Sequence, residues 1–261
     1  MNKFVKCLIA GGIVLGIGIV VLIFGLSLNS WSFKPKFTEA KYVQENKNID
    51  SLVIDFSAGE FETVFYDGDK IEIDYYTSNI KKIDIKESGT TLSFRDRGRW
   101  WISFGVHNPP KTVIKLPQGN VYNLKIDMSA GLISISEGAY GNINVDMSAG
   151  LVKFNGEITC DKFDIDMSAG NVEVSNLECS SATIDLSAGK VGINHFSCPV
   201  IDIDLSAGAV DLGIIGTKSE YSIRVDKSAG SCNVGNQPGT SSDKKINIDI
   251  SAGSVNISFD N

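Results

Sequence analysis

Ile165-Asp166-Met167-Ser168-Ala169-Gly170-Asn171-Val172-Glu173-Val174 decides the fold, because the chain repeats it. The phrase Asp-x-Ser-Ala-Gly at its centre occurs eight times, ending at Gly59, Gly131, Gly150, Gly170, Gly189, Gly208, Gly230 and Gly253. Asp55, Asp127, Asp146, Asp166, Asp185, Asp204, Asp226 and Asp249 stand four residues before those glycines without exception. From Gly131 onward the steps are 19, 20, 19, 19, 22 and 23 residues. A period near 20 residues is the mark of a repeat architecture.

The flanks identify the unit. Five residues before each glycine the chain is β-branched, from Ile54 and Ile126 to Val225 and Ile248. Seven before, it is apolar in every copy, and three before in every copy but one, where Lys227 stands. Such alternation is the period of a half-buried strand. After the glycine the apolar residues fall at the second and fourth positions, as in Val172 and Val174 or Val191 and Ile193. The parity switches across Ser-Ala-Gly, so a straight strand would turn its second half outward. A corner there keeps both halves inside, and glycine supplies the backbone freedom or close approach it needs. Each repeat therefore reads as strand, corner, strand and return loop. Such units bury their apolar face only by stacking. The expected fold is all-β: a single-span N-terminal helix, then a parallel β-solenoid (β-helix) of 19–23-residue coils with an N-terminal β cap.

The 261 residues carry a formal net charge of −7, unevenly distributed. Residues 1–119 hold 15 basic and 13 acidic groups; residues 120–261 hold 9 and 18. An acidic solenoid excludes nucleic acid as a partner, since phosphate binding needs a basic face. His107 and His195 are the only histidines, which leaves little for histidine-based catalysis or zinc.

Residues 1–6 form a short basic tail, and residues 7–28 contain no charge. Twenty-two residues at 1.5 Å rise would cross a bilayer core of ~30 Å. The segment is long for a signal peptide and lacks a small-residue cleavage site, so it reads as an uncleaved transmembrane anchor. The lysines on its two sides nearly balance; the strand-rich cargo favours an extracytoplasmic solenoid on a single-pass cell-membrane protein. Gly12 and Gly16 form a GxxxG, which suits a helix–helix contact in a homo-oligomer. Residues 29–48 are a polar juxtamembrane spacer.

Residues 49–119 hold the first repeat and an insertion of another rhythm; the uninterrupted repeats fill 120–261. Glu62–Tyr66 with Lys70–Tyr76, Lys82–Ile85 with Thr91–Phe94, and Trp100–Val106 with Thr112–Leu116 read as three hairpins covering the solenoid's end. Arg95, Arg97 and Arg99 beside Trp100 and Trp101 could meet a membrane face or an anionic glycan. The plainer reading places Arg outward and Trp in the cap's core. Cys160, Cys179 and Cys198 each lie ten residues before the next glycine and therefore stack. Parallel Cβ vectors suit a ladder of buried thiols better than disulfides.

The Asp column allows three readings. In the structural one, each carboxylate accepts from Ser hydroxyls or backbone N–H groups of adjoining corners. The others are a calcium-binding face and an acid pair for glycoside hydrolysis. The uniformity of the column favours the first, because an active site is local. No catalytic, cofactor-binding or metal-ligating residue is therefore assigned. The last copy ends near Asn261 and leaves an expected open edge for a partner strand or self-association.

With the Asp-x-Ser-Ala-Gly repeats and the lead-in Ile114-Lys115-Leu116-Pro117-Gln118-Gly119, the chain resembles a bacterial family of β-strand-repeat proteins labelled putative adhesins, whose domain is of unknown function. The likeness spans residues 40–261. It implies a β-helix-like fold, a cell-envelope setting and no catalytic residues; some relatives look like accessory proteins of envelope-stress regulation. The expected function is non-catalytic adhesion, binding or scaffolding, with an envelope protein or glycan as partner and the bilayer held through residues 7–28. An envelope-stress accessory role is the alternative, and a polysaccharide-active enzyme a third.

Overall fold

The computed structural model describes residues 37–45, 48–78, 82–96 and 110–260. Its first strands are β1 (Thr38–Val43), β2 (Ser51–Tyr66), β3 (Glu72–Thr77), β4 (Ile83–Ser88), β5 (Thr91–Asp96) and β6 (Thr112–Pro117). The middle repeats supply β7 (Tyr122–Ile135), β8 (Gly138–Met147), β9 (Leu151–Met167), β10 (Asn171–Leu186), β11 (Lys190–Ser197), β12 (Val200–Leu205) and β13 (Ala209–Ile215). The last strands are β14 (Ser222–Lys227), β15 (Ser231–Cys232), β16 (Lys245–Ile250) and β17 (Ser254–Asp260).

Like residues stack on like. Asp185 pairs in parallel register with Asp166 on one side and Asp204 on the other, and Ile184 likewise with Ile165 and Ile203. The inward columns are almost fully buried, among them Met128, Met147, Met167, Leu186, Leu205 and Ile250. Volume is traded between neighbouring rungs: Ala182 lies beside Phe163, whose ring meets Phe154 edge-on at 5.2 Å. Large beside small is how a stacked core reaches organic-crystal density.

The corner explains the invariant glycine by two independent needs. Gly189 has φ +110°, and a Cβ there would lie 2.1 Å from the carbonyl oxygen of Gly170 in the coil below. The corners are stitched by backbone bonds: Ser187 N–H donates to Met167 O at 3.0 Å, and Lys190 N–H to Gly170 O at 2.9 Å.

In the middle of the stack the expected return loop is itself a strand. Leu177 lies between Ile158 and Phe196, and Cys179 pairs with Cys160. Residues 157–160 and 176–179 alternate inward and outward, so the coil closes on three sides, with a register shift between Val174 and Asn176 turning the corner.

The insertion hides another coil. β5 pairs in parallel with the first half of β2, and β6 with its second half. They form a rung without the Ser-Ala-Gly phrase, stacked outside the first repeat. This corrects the hairpin expectation. Glu62–Tyr66 and Lys70–Tyr76 do not pair, because β6 runs between β2 and β3, and β1 then adds antiparallel to β3. The β4–β5 hairpin does form around Gly89. Gln44 fastens the end of β1, its side-chain carbonyl accepting from Ile71 N–H at 2.7 Å. Trp100–Val106, with Arg97 and Arg99, lie outside the described residues.

The order of the last two coils also departs from the sequence. β16 and β17 stack directly on β12 and β13, and β14 and β15 lie beyond them. The eighth repeat is thus slotted between the sixth and the seventh. Lys227 gives the physical reason. It takes a position that is apolar in the other copies, and only a terminal coil can leave that position in water. The terminal coil is closed by the segment after it: Ile223 and Gln237 exchange 2.9 Å backbone bonds, and Asn236 Oδ1 accepts from Val225 N–H at 2.5 Å. At the last copy β17 has β13 along one side and β15 against Ser254 and Val255 on the other, so the expected open edge is covered at the start of the strand.

The fold expectation needs one further correction. The described chain is strand joined by turns and loops, with no α-helix and a 3-10 turn at Lys218–Glu220. No helix among these residues is long and apolar enough to cross a membrane. The single-span helix is thus no part of the observed fold; period-two alternation governs every element seen, and residues 7–28 lie outside the described residues.

Candidate functional site: the outer faces

Each coil turns two strand faces outward beside the Ser-Ala-Gly corner. The face before the glycine carries the carboxylates. All eight fall in one register column, running from Asp55 through Asp127, Asp146, Asp166, Asp185 and Asp204 to Asp249 and finally Asp226. Every one is exposed. At the N-terminal end Arg95 takes the next rung, in register with Asp55 and, across the hairpin, with Asp84. This places Arg95 as a charge terminating an acidic ladder. Neither Arg95 nor the ladder carboxylates meet a catalytic partner among the described residues.

The geometry also replaces the expected role of these carboxylates. Corners are held by backbone N–H donors reaching carbonyls of the neighbouring coil, so the Asp–Ser tie is not what holds the bend. Two members of the ladder carry charge strain. Partial burial, then the charges of Asp127 and Asp166, push the Asp146 carboxyl above its ordinary pKa; burial and then Asp166 and Asp204 do the same for Asp185. A raised folded pKa contributes stability that is present below the unfolded carboxylate value and lost as pH rises through the folded one. Asp185→Asn is therefore expected to stabilise the protein at pH 7, by about 0.3–0.5 kcal/mol after solvent screening. The gain should vanish near pH 4, as read from urea midpoints at the two pH values.

Beside the C-terminal stretch of the ladder, Thr183, Asp202, Asn247 and Arg224 line a shallow acidic groove of about 550 Å³. Asn247 Nδ2 donates to Asp202 Oδ1 at 2.7 Å across two coils that are 45 residues apart in sequence.

The face after the glycine is different. Its outward positions mix Lys, Asn, Ser, Glu and Asp, and the charges pair between rungs: Lys153 with Glu173 at 3.1 Å and Lys190 with Asp211 at 2.7 Å. Gly192 sits in register between Glu173 and Asp211 and has no side chain to fill its rung. A notch of about 480 Å³ opens there. Sequence reasoning missed it: Gly192 stands where other copies carry Lys153, Glu173 or Asp211, a substitution whose effect shows only once the rungs are stacked.

Among the described residues Cys160, Cys179, Cys198 and Cys232 are free thiols, the first three of them buried. Hydrogen bonding along the column holds Cys198 below the ordinary thiol range and drives Cys179 above it. In the native protein an alkylating reagent should modify the half-buried Cys232 and spare those three until unfolding, as peptide mapping will show. No group of three or more His, Cys, Asp or Glu side chains among the described residues could hold a metal ion.

No curated protein matches this sequence. Among solved structures, it is similar to a putative adhesin of Bacteroides fragilis, at 14% identity over 87% of this chain and 100% of that one, with a TM-score of 0.46. A putative lipid binding protein of Parabacteroides distasonis shares 13% identity over 88% and 98% of the two chains, at a TM-score of 0.42. A putative cell adhesion protein of Clostridium sporogenes shares 17% over 86% and 100%, at 0.31. These likenesses are too loose to carry an argument about ligand. The sequence family is firmer, because its match takes in every Asp-x-Ser-Ala-Gly copy and the whole stack: over residues 49–261 the chain belongs to the Toastrack DUF4097 family.

Proposed function

We propose that this protein is a non-catalytic binding module that uses the outer faces of its solenoid for adhesion at the bacterial cell envelope, on the extracytoplasmic side. The observation that carries this reading is the regularity of the outward surface. Eight carboxylates recur at one register position, and the other face repeats paired charges, so chemistry is spread along the stack rather than gathered at one point. Extended, repetitive surfaces suit multivalent contact with a repetitive partner. Cells displaying the full chain should adhere to bacterial or host cell layers more than cells lacking it. Equal adhesion by both would remove the reading, and release of soluble products from a polysaccharide panel would favour the enzymatic alternative instead.

A further inference from the structure

The notch at Gly192 is a built irregularity in an otherwise periodic face. β11 is paired with β10 on one side and β13 on the other, so the notch lies in mid-sheet. Its rims are Asn171 and Lys190 on the corner side and Asn155, Ser175 and Asn194 on the far side. Two features limit what it can hold. Its backbone groups are already used in the sheet, which excludes an extended peptide adding as a strand. Lys153 and Lys190 each face a carboxylate, Glu173 and Asp211, so the notch offers no unbalanced charge to an anion or a cation. What remains is a set of exposed amides and a hydroxyl, groups that both donate and accept; Asn155 Nδ2 already donates to Ser134 Oγ at 2.8 Å and keeps its carbonyl oxygen and second N–H for a ligand. A volume near 480 Å³ lies within the range of small-molecule sites.

We propose that this notch binds a neutral saccharide, with one ring seated over Gly192 and its hydroxyls bonded by Asn171, Asn194 and Asn155. The proposal rests on the binding reading above and names its ligand class. A glycan chain lies along the stack axis, where successive rungs present hydrogen-bonding groups every ~4.8 Å. The floor offers no exposed aromatic ring for stacking, so affinity per site is low, with Kd on the order of 1 mM, and useful adhesion comes from many copies.

Gly192 permits a clean test. Its φ lies outside the left-handed region, and a Cβ there would meet nothing within 4 Å, so Gly192→Leu fills the notch without disturbing the stack. The full chain and this variant are titrated by ligand-observed NMR with neutral trisaccharides of glucose, mannose and N-acetylglucosamine, and with oligogalacturonate as the acidic probe. Lys125→Leu, on the carboxylate face, serves as control. The expected result is binding of at least one neutral trisaccharide, weakened at least ~10-fold by Gly192→Leu and unchanged by Lys125→Leu, with a cooperative unfolding transition retained by both variants. The proposal is overturned if no neutral trisaccharide binds, if only oligogalacturonate binds, or if Gly192→Leu binds as well as the parent. Cell adhesion that persists in the Gly192→Leu protein would leave the adhesion reading standing and place its contact elsewhere.

Discussion

Gly189→Val is expected to destabilise the protein by at least about 4 kcal/mol, an effect large enough to prevent folding in many backgrounds. Two costs add. The valine must adopt φ +110°, a region β-branched residues avoid. Its Cβ must also occupy space 2.1 Å from Gly170 O, 2.8 Å from Gly170 N and 3.0 Å from Gly170 C. These are backbone atoms of the next coil, so relief means prising two coils apart and losing the bond from Lys190 N–H to Gly170 O. Gly192→Ala, three residues on, is the matched control and should stay within about 0.5–1 kcal/mol of the parent. Thermal unfolding followed by circular dichroism compares them; similar midpoints for the two variants would show that the corner does not depend on glycine.

Ile250→Lys against Lys227→Leu tests the order of the coils. Ile250 is fully buried, with Leu205 on one side and Lys227 on the other. Placing an ammonium there should cost about 3–5 kcal/mol, because among the described residues no buried carboxylate can pair with it. Lys227 lies on the outermost coil and is exposed, so Lys227→Leu should change stability by less than about 0.5 kcal/mol. Stacking in sequence order would put Lys227 between Leu205 and Ile250, and Lys227→Leu would then stabilise by about 2 kcal/mol. Urea unfolding of the three proteins decides between the two orders.

Much of this was legible in the sequence. Alternation gave the strands, the parity switch gave the corner, and the step gave the parallel stack, because each follows from side-chain direction along an extended chain. The third side of the coil was harder. Ile158, Leu177 and Phe196 alternate over segments of only about four residues, too short for periodicity to separate a strand from a loop. The rung formed by β5 and β6 lacks the phrase altogether, so nothing in its letters ties it to β2; only the pairing does. The order of the last coils was written in Lys227, but a single exception reads as tolerated variation until the stack shows that its neighbour is Ile250. For the outer faces, the Asp column was visible and its charge strain followed from spacing. The notch was not, because an absent side chain at Gly192 acquires meaning only beside Glu173 and Asp211.

The slotted eighth repeat ties the finished shape to the order in which the polypeptide emerges. On a ribosome the chain appears from its N-terminus, and earlier coils can assemble one on another as they come. The coil of β14 and β15 breaks that progression. Its sole coil neighbour is made of residues 245–260, which appear later, so the outermost rung waits unsupported until they arrive. A chain interrupted in that interval lacks the strands that β12, β13, β14 and β15 all pair with, so the end of the stack is complete only once residues 245–260 are in place.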